Sequence, residues 1–249
     1  MDVGPAVFET VDGRSVPSVT GEQMREVDRI AVEELGLGIL QMMENAGRNL
    51  AGNVLELLGD AAGEVTILAG SGGNGGGGLC SARHLHNHGL YVSVFLSKEP
   101  SELRWPAAHQ LRTLLAAGVA LGRPAEARQA VIGADVTVDA LIGYSLRGSP
   151  RGRVADLIEL CNQESGLTLS LDLPSGLDAT TGETPGPCVD ATRTLTLALP
   201  KRGLRGYAGE LYLADIGIPN EVYRRMGLTF EWPGRGRYSL ALRRTQPKG

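Results

Sequence analysis

Val65-Thr66-Ile67-Leu68-Ala69-Gly70-Ser71-Gly72-Gly73-Asn74-Gly75-Gly76-Gly77-Gly78-Leu79 is a short apolar strand running straight into a stretch where seven of ten positions, Gly70 to Leu79, are glycine. Without a Cβ, glycine lets a ligand approach the backbone, and a helix starting at Leu79 would add its positive end. A phosphorylated ligand is the first expectation; a flexible surface loop is the plain structural alternative. No Gly-Lys-Ser or Gly-Lys-Thr closes the stretch, so the lysine of a P-loop is missing. Gly70, Gly72 and Gly75 do fit a Gly-x-Gly-x-x-Gly spacing, with Glu99 as the only ribose-binding acid on offer, late and beside Lys98.

Outward from this stretch, strand-like runs recur at Tyr91 to Leu96, Val136 to Ala140, Leu167 to Leu171, Thr194 to Leu199 and Leu211 to Ala214, mostly separated by helical stretches. That alternation specifies an α/β fold with a mostly parallel sheet, whose ligand sites lie beyond the carboxyl ends of the strands. Three strand-end turns then qualify: Gly70 to Gly78, Asp139 to Arg151, and Asp172-Leu173-Pro174-Ser175-Gly176-Leu177-Asp178. Upstream, Met24, Val27, Ala31 and Leu35 form an apolar stripe, with Thr20 and Gln23 spaced as a capping box. A second helix is expected over Gln41 to Leu58, with Ala46, Gly47 and Ala51 small enough for a close neighbour.

With 249 residues and 42% hydrophobic content, the chain can bury a full core as one large domain, and no linker divides it. A net charge of -4 without a basic stripe argues against nucleic acid. The Arg-rich end, Arg235 to Lys248, reads as a solvated tail. Cys80, Cys161 and Cys188 fit neither a disulfide framework nor a zinc spacing. His84 and His88 lie four apart on one helix face with no third ligand evident, which favours solvated surface over metal. No apolar run reaches the length of a membrane span, and Met1 to Ser18 lacks the order of a signal peptide, so a cytoplasmic location is expected.

Several segments in order carry a more specific resemblance: Thr20-Gly21-Glu22-Gln23-Met24-Arg25, Met43-Glu44-Asn45-Ala46-Gly47-Arg48, the glycine stretch through Leu85, and Val138-Asp139-Ala140-Leu141-Ile142-Gly143. Asp172 to Asp178, Pro200-Lys201 with Gly203-Leu204, and Ala214-Asp215-Ile216-Gly217-Ile218-Pro219 continue it. Together they resemble the YjeF N-terminal domain family, whose characterised enzymatic members are NAD(P)H-hydrate epimerases. The resemblance spans residues 18–228, leaving 1–17 as an N-terminal extension and 229–249 as a C-terminal tail. It implies a Rossmann-like three-layer α/β/α sandwich, commonly a homodimer built on the helices before the glycine stretch. It also implies a substrate in which water has added to the reduced nicotinamide ring beside the nitrogen. The enzyme interconverts the R and S hydrates of NADH and NADPH, and a separate S-specific dehydratase then restores the cofactor.

By position, the resemblance places a potassium ion on Asn74, Asp139 and Ser175. Substrate contacts fall on Gly73, Asn74, Gly75, Gly76 and Gly77, on Gly143, Tyr144, Ser145, Leu146, Arg147, Gly148 and Ser149, and on Asp172, with Arg147 meeting an anionic group. Inverting the hydrated carbon calls for protonation of the departing hydroxyl, help from the ring nitrogen and return of water from the other face. Structural alternatives exist for each: Asp139 as a cap, Ser175 as a turn former after Pro174, Asp172 or Asp178 as turn supports.

One departure matters. Family loops usually read Gly-Asn-Asn-Gly-Gly-Asp-Gly, whereas Gly73 here replaces the first asparagine and Gly77 replaces the aspartate to which substrate binding and acid–base work are assigned. Asp172 is then the candidate catalytic group, in an epimerase of full, reduced or altered activity. A nucleotide-binding module without catalysis, or an enzyme of different small-molecule chemistry on the same fold, is the alternative.

Overall fold

The computed structural model describes residues 8–59 and 63–245. Strands β1 (Phe8–Thr10) and β2 (Ser15–Val16) precede helix α1 (Gly21–Arg29), which widens into a π-turn over Ile30–Glu34, and then α2 (Ile39–Leu58). The chain continues through β3 (Glu64–Ala69), α3 (Gly73–Asn87), β4 (Tyr91–Leu96), α4 (Trp105–Ala116), α5 (Ala127–Gly133) and β5 (Val136–Ala140). It ends with α6 (Arg153–Glu164), β6 (Thr168–Leu171), β7 (Arg193–Leu197), β8 (Glu210–Ala214), α7 (Asn220–Arg225) and β9 (Ser239–Arg244).

Among the described residues, all nine strands join one sheet in the order β2-β1-β9-β8-β7-β6-β5-β3-β4. From β4 to β8 every pairing is parallel, while β9 runs antiparallel to both β8 and β1. Helices cover both faces, which gives the expected three layers. On β3, Val65, Ile67 and Ala69 bury against the side carrying α1 to α4, whereas Leu68 faces the side packed by α5 and α6 through Val131, Leu157 and Ile158. Strict alternation of this kind is the period-two signature of a strand buried on both sides.

The sequence expectations hold for α1. Gln23 N–H donates to Thr20 Oγ1 at 3.1 Å, Thr20 N–H returns to Gln23 Oε1 at 2.9 Å, and Met24, Val27 and Ala31 are buried. Two expectations are corrected. Helix α3 starts at Gly73, not Leu79: Gly76 N–H bonds Gly72 O at 3.0 Å, so most of the glycine stretch is the helix's first two turns, not a loop. The Arg-rich end is likewise no solvated tail over Ser239–Arg244, where it pairs with β8 and β1 and buries Leu242 opposite Leu211. Its apolar alternation, Leu240 and Leu242, is only two residues deep and lies among arginines, which hides it from a composition-based reading. Residues 1–7 and 246–249, including Lys248, fall outside the described residues.

Glycine in a helix interior costs about 1 kcal/mol relative to alanine. Here it is kept because of what lies alongside. A Cβ added to Gly78 would sit 2.6 Å from Ala140 Cβ on β5, and one on Gly75 would sit 1.8 Å from Gly70 O. Helix α3 therefore lies closer to the sheet than any side chain permits. Gly52, exposed on α2, has nothing within 4 Å of the corresponding position. Gly78→Ala is expected to lower stability by about 1–3 kcal/mol through overpacking, and Gly52→Ala to raise it by about 0.5–1 kcal/mol. The shift of the urea midpoint in the two variants checks this contrast.

Candidate active site

The carboxyl ends of β3, β5 and β6 are neighbours in the sheet, and their turns are stitched together. Gly70 N–H donates to Ala140 O at 3.0 Å. Asp139, the penultimate residue of β5, is fully buried and accepts four hydrogen bonds: Leu141 N–H at 3.2 Å and Ser175 Oγ–H at 2.5 Å on Oδ1, Ser170 Oγ–H and Ser175 N–H at 2.8 Å each on Oδ2. Ser175 Oγ in turn accepts Ile142 N–H at 2.8 Å. Burial pushes the Asp139 carboxyl up, and the Ser175, Ser170 and Leu141 donors pull against it. No basic side chain pairs with Asp139 among the described residues, so this carboxyl is buried with hydrogen bonds but without a counter-ion.

Asn74 and Asp172 flank Gly143. A Cβ on Gly143 would lie 3.1 Å from Asn74 Oδ1 and 3.0 Å from Asp172 Oδ2. Asn74 Nδ2 is buried with no hydrogen-bond partner. Asp172 leaves β6 with φ at +69°, a left-handed conformation that costs a non-glycine residue energy and clusters at functional positions. Its carboxylate accepts Tyr144 N–H at 3.1 Å and Leu197 N–H at 3.3 Å, and is ion-paired with Lys201, a lysine with no exposed surface whose Nζ also donates to Leu197 O at 2.8 Å.

Above these turns opens a cavity of about 330 Å³. Gly73, Asn74, Gly77, Gly143, Tyr144, Ser145 and Asp172, all named as substrate contacts from the sequence, line it together with Asp28, Arg104, Lys201, Met24, Met42 and Met43. Gly75 and Gly76 are buried within α3, and Leu146, Arg147, Gly148 and Ser149 lie along the chain beyond the cavity wall, Arg147 and Gly148 in solvent. Asp139 and Ser175 form the layer beneath. Asp178 is a turn support: its Oδ1 accepts the amides of Thr180 and Thr181 at 2.8 Å each.

Sequence reasoning passed over Asp28 and Lys201. Asp28 follows Val27 on α1 and reads as the polar flank of that helix. Tyr144 Oη–H donates to Asp28 Oδ2 at 2.5 Å, and burial pushes the Asp28 carboxyl up. Lys201 stood in a quoted motif, but nothing in the one-dimensional pattern shows that it is buried. His84 also differs from its expected solvated setting: its Nε2 lies 2.8 Å from Glu44 Oε1, with Cys80 Sγ 3.3 Å from Glu44 Oε2. Arg83 Nη2 also reaches that carboxylate at 2.6 Å, so Glu44 on α2 is tied to α3 through Arg83, Cys80 and His84 together.

Residues 39–203 match the family described as YjeF-related protein N-terminus. The chain belongs to that family. A relative in Dehalogenimonas lykanthroporepellens named NAD(P)H-hydrate epimerase is 50% identical over 89% of this chain and 90% of its own length. Another of the same name in Rhodopirellula baltica is 36% identical over 86% and 89%. A Bifunctional NAD(P)H-hydrate repair enzyme Nnr of Hyperthermus butylicus is 43% identical over 76% of the chain, which spans only 36% of that longer protein. Crystallographic yeast ynu0 (YNL200c) shares the fold with a TM-score of 0.81 at 24% identity over 91% of this chain and 100% of its own.

Removing the Asp139 carboxylate leaves Ser170 Oγ and the Ser175 and Leu141 amides without acceptors in a dry interior. Asp139→Ala is expected to cost about 3 kcal/mol of stability, since each orphaned buried donor costs about 1–3 kcal/mol and relaxation recovers part. Equilibrium urea unfolding monitored by far-UV circular dichroism measures it.

Proposed function

We propose that this protein is an isomerase that interconverts the R and S hydrates of NADH and NADPH, in nicotinamide cofactor repair. One observation carries the reading: 50% identity across 89% of the chain to a protein named NAD(P)H-hydrate epimerase. The cavity supports it with chemistry. Asp172 is a carboxylate held by Lys201 and two amides at the cavity wall, suited to taking a proton from the water that re-adds to the ring. Gly73 and Asn74, at the start of α3, line the cavity, where the positive end of the helix would favour anionic or polar parts of the substrate. Met24, Met42 and Met43 provide an apolar wall for the nicotinamide ring.

Asn74, Asp139 and Ser175 would hold a monovalent cation, potassium in the family expectation. The donors are hard oxygens, and among the described residues the buried Asp139 carboxyl lacks a basic partner. The bound cation would supply a fixed positive charge near the reacting ring. Because burial raises the Asp139 carboxyl above its unfolded value, its contribution to stability is present below the unfolded value and is lost as pH rises through the folded one. A cation offsets that loss. Potassium chloride is therefore expected to raise Tm relative to equimolar choline chloride, more at the alkaline than at the acid end of the pH range in which the protein stays folded, and Ser175→Ala or Asp139→Asn should shrink the effect. Equal Tm in both salts at both ends of that range would remove the cation from this reading. A homodimer, a separate S-specific dehydratase as pathway partner and a cytoplasmic location complete the proposal; among the described residues, no helix is long and apolar enough to cross a membrane.

Gly73 and Gly77 favour a second reading, because both line the cavity without offering a functional group. In that reading the pocket binds a nucleotide and does no chemistry. The R hydrate of NADH supplied with an S-specific dehydratase separates the two. Protein-dependent consumption faster than the protein-free rate is expected, with Asp172→Asn slowing it by about 10²-fold or more. Nucleotide binding with no acceleration would establish the binding module instead. Gly77→Asp is sterically admissible, since the new Cβ meets only the end of Leu171 at 2.7 Å, and it should raise the rate if position 77 faces the reacting ring.

A further inference from the structure

We propose that Asp28 is the proton donor of the cavity, the carboxyl that protonates the hydroxyl leaving the hydrated ring. This deepens the epimerase reading and rests on it. Two carboxyl side chains line the cavity among the described residues, Asp28 from α1 and Asp172 after β6. Their surroundings are opposite. Asp172 is ion-paired with the buried Lys201 and accepts two amides, which holds it as an acceptor. Asp28 has no basic side chain paired with it among the described residues, and the hydrogen bond it accepts comes from Tyr144 Oη at 2.5 Å.

Tyr144 links the two. Its backbone N–H holds Asp172 Oδ2 at 3.1 Å while its hydroxyl holds Asp28 Oδ2 at 2.5 Å, so a single residue fixes both carboxyls relative to each other. One carboxyl ion-paired to a buried lysine, beside another that is held by a hydroxyl and has no basic partner among the described residues, is the arrangement expected of an acceptor and a donor in one site. Burial is the largest influence on Asp28 and raises it, Asp172 raises it further, and the Tyr144 hydrogen bond and the Lys201 charge oppose them. Tyr223 on α7 also feels the Asp28 charge, and Arg25 on the same helix acts on Tyr144. Gly73 and Gly77 leave their parts of the wall without a proton-carrying group, so the acid has to come from elsewhere.

The step balances without any redox partner. The Asp28 O–H bond breaks and its proton joins the ring hydroxyl; the ring C–O bond breaks, its electron pair leaves with the water formed, and the nitrogen lone pair closes a C=N bond. Water then adds to the other face of that carbon, the C=N pair returns to nitrogen, and Asp172 takes the proton released. Exchange with solvent returns a proton to Asp28 and removes one from Asp172 between turnovers.

The test follows epimerisation by wild type, Asp28→Asn and Tyr144→Phe across pH, subtracting the protein-free rate at each point, with circular dichroism to confirm folding. For Asp28→Asn, kcat is expected to fall about 10²-fold or more while KM changes little. An acid must be protonated to work, so wild-type kcat/KM should fall as pH rises through the Asp28 value. That limb should vanish in Asp28→Asn. In Tyr144→Phe it should move to higher pH, because the lost O–H no longer stabilises the carboxylate. A folded Asp28→Asn with kcat within about twofold of wild type overturns the proposal, that being too small for a lost general acid. If Asp28→Asn does not fold, an unmoved limb in Tyr144→Phe overturns it. A wild type that gives no acceleration defeats the epimerase reading itself, and this inference with it.

Discussion

Contact between helix α3 and the sheet, closer than any side chain allows, is the constraint on which the rest of the molecule depends. From Gly73 to Gly78 the helix carries a single side chain, that of Asn74. The bare turns let the helix backbone settle over Gly70 and Ala140, where a Cβ on Gly75 or Gly78 would collide. Each glycine costs helix stability, about 1 kcal/mol by intrinsic propensity, and the nearby layer of Val138, Ala140, Leu171 and Leu79 is the apolar burial that offsets it. With α3 seated that low, its first turn stands level with the ends of β5 and β6, and the one side chain it keeps there meets Gly143.

Electrostatics follow from the same geometry. Water is excluded from the floor of the site, so every charge there needs an explicit partner. Among the described residues, Asp139 finds four hydrogen-bond donors and no basic side chain, while Asp172 finds Lys201. Asp28, half-buried on α1, accepts the Tyr144 hydroxyl and has no basic side chain paired with it among the described residues. Three aspartates within one edge of the sheet thus have three different electrostatic settings. The differences come from the elements that deliver them, a strand interior, a left-handed turn and a helix flank, and not from residue type.

Much of this was legible in the sequence. Alternation of strands and helices gave the layered α/β fold, the rule that ligands sit beyond strand ends pointed to the turns after Ala69, Ala140 and Leu171, and the ordered motifs gave the family. The failures share a physical cause. The start of α3 was misplaced because glycine has the poorest helix propensity of any residue but proline, and only tertiary packing overrules that. Strand β9 was missed because two leucines among arginines are a weak signal until β8 and β1 supply partners. Lys201 and Asp28 were passed over because burial of a charged side chain is a property of the assembled site. Arg147, whose charge recommended it as an anion contact, stands in solvent off the cavity wall, while Arg104, on a segment the sequence reading did not connect to the site, lines it.

The glycine run also bears on how such a site can change without losing its fold. At Gly75 or Gly78 any side chain strikes backbone or a strand residue, so those positions are fixed by packing. Gly77 differs: an added Cβ meets only the end of the Leu171 side chain, which can turn aside. A residue there is free to vary because no backbone contact depends on it, and what it contributes is chemical, a group facing the cavity or none. With none, the carboxyls left at the cavity wall among the described residues are those anchored on other elements, Asp28 on α1 and Asp172 after β6, which Tyr144 ties together. Packing thus fixes where the cavity lies, while its polar groups are distributed over elements far apart in the chain, so a bare position 77 on α3 leaves both the cavity and the Asp28 and Asp172 carboxyls in its wall in place.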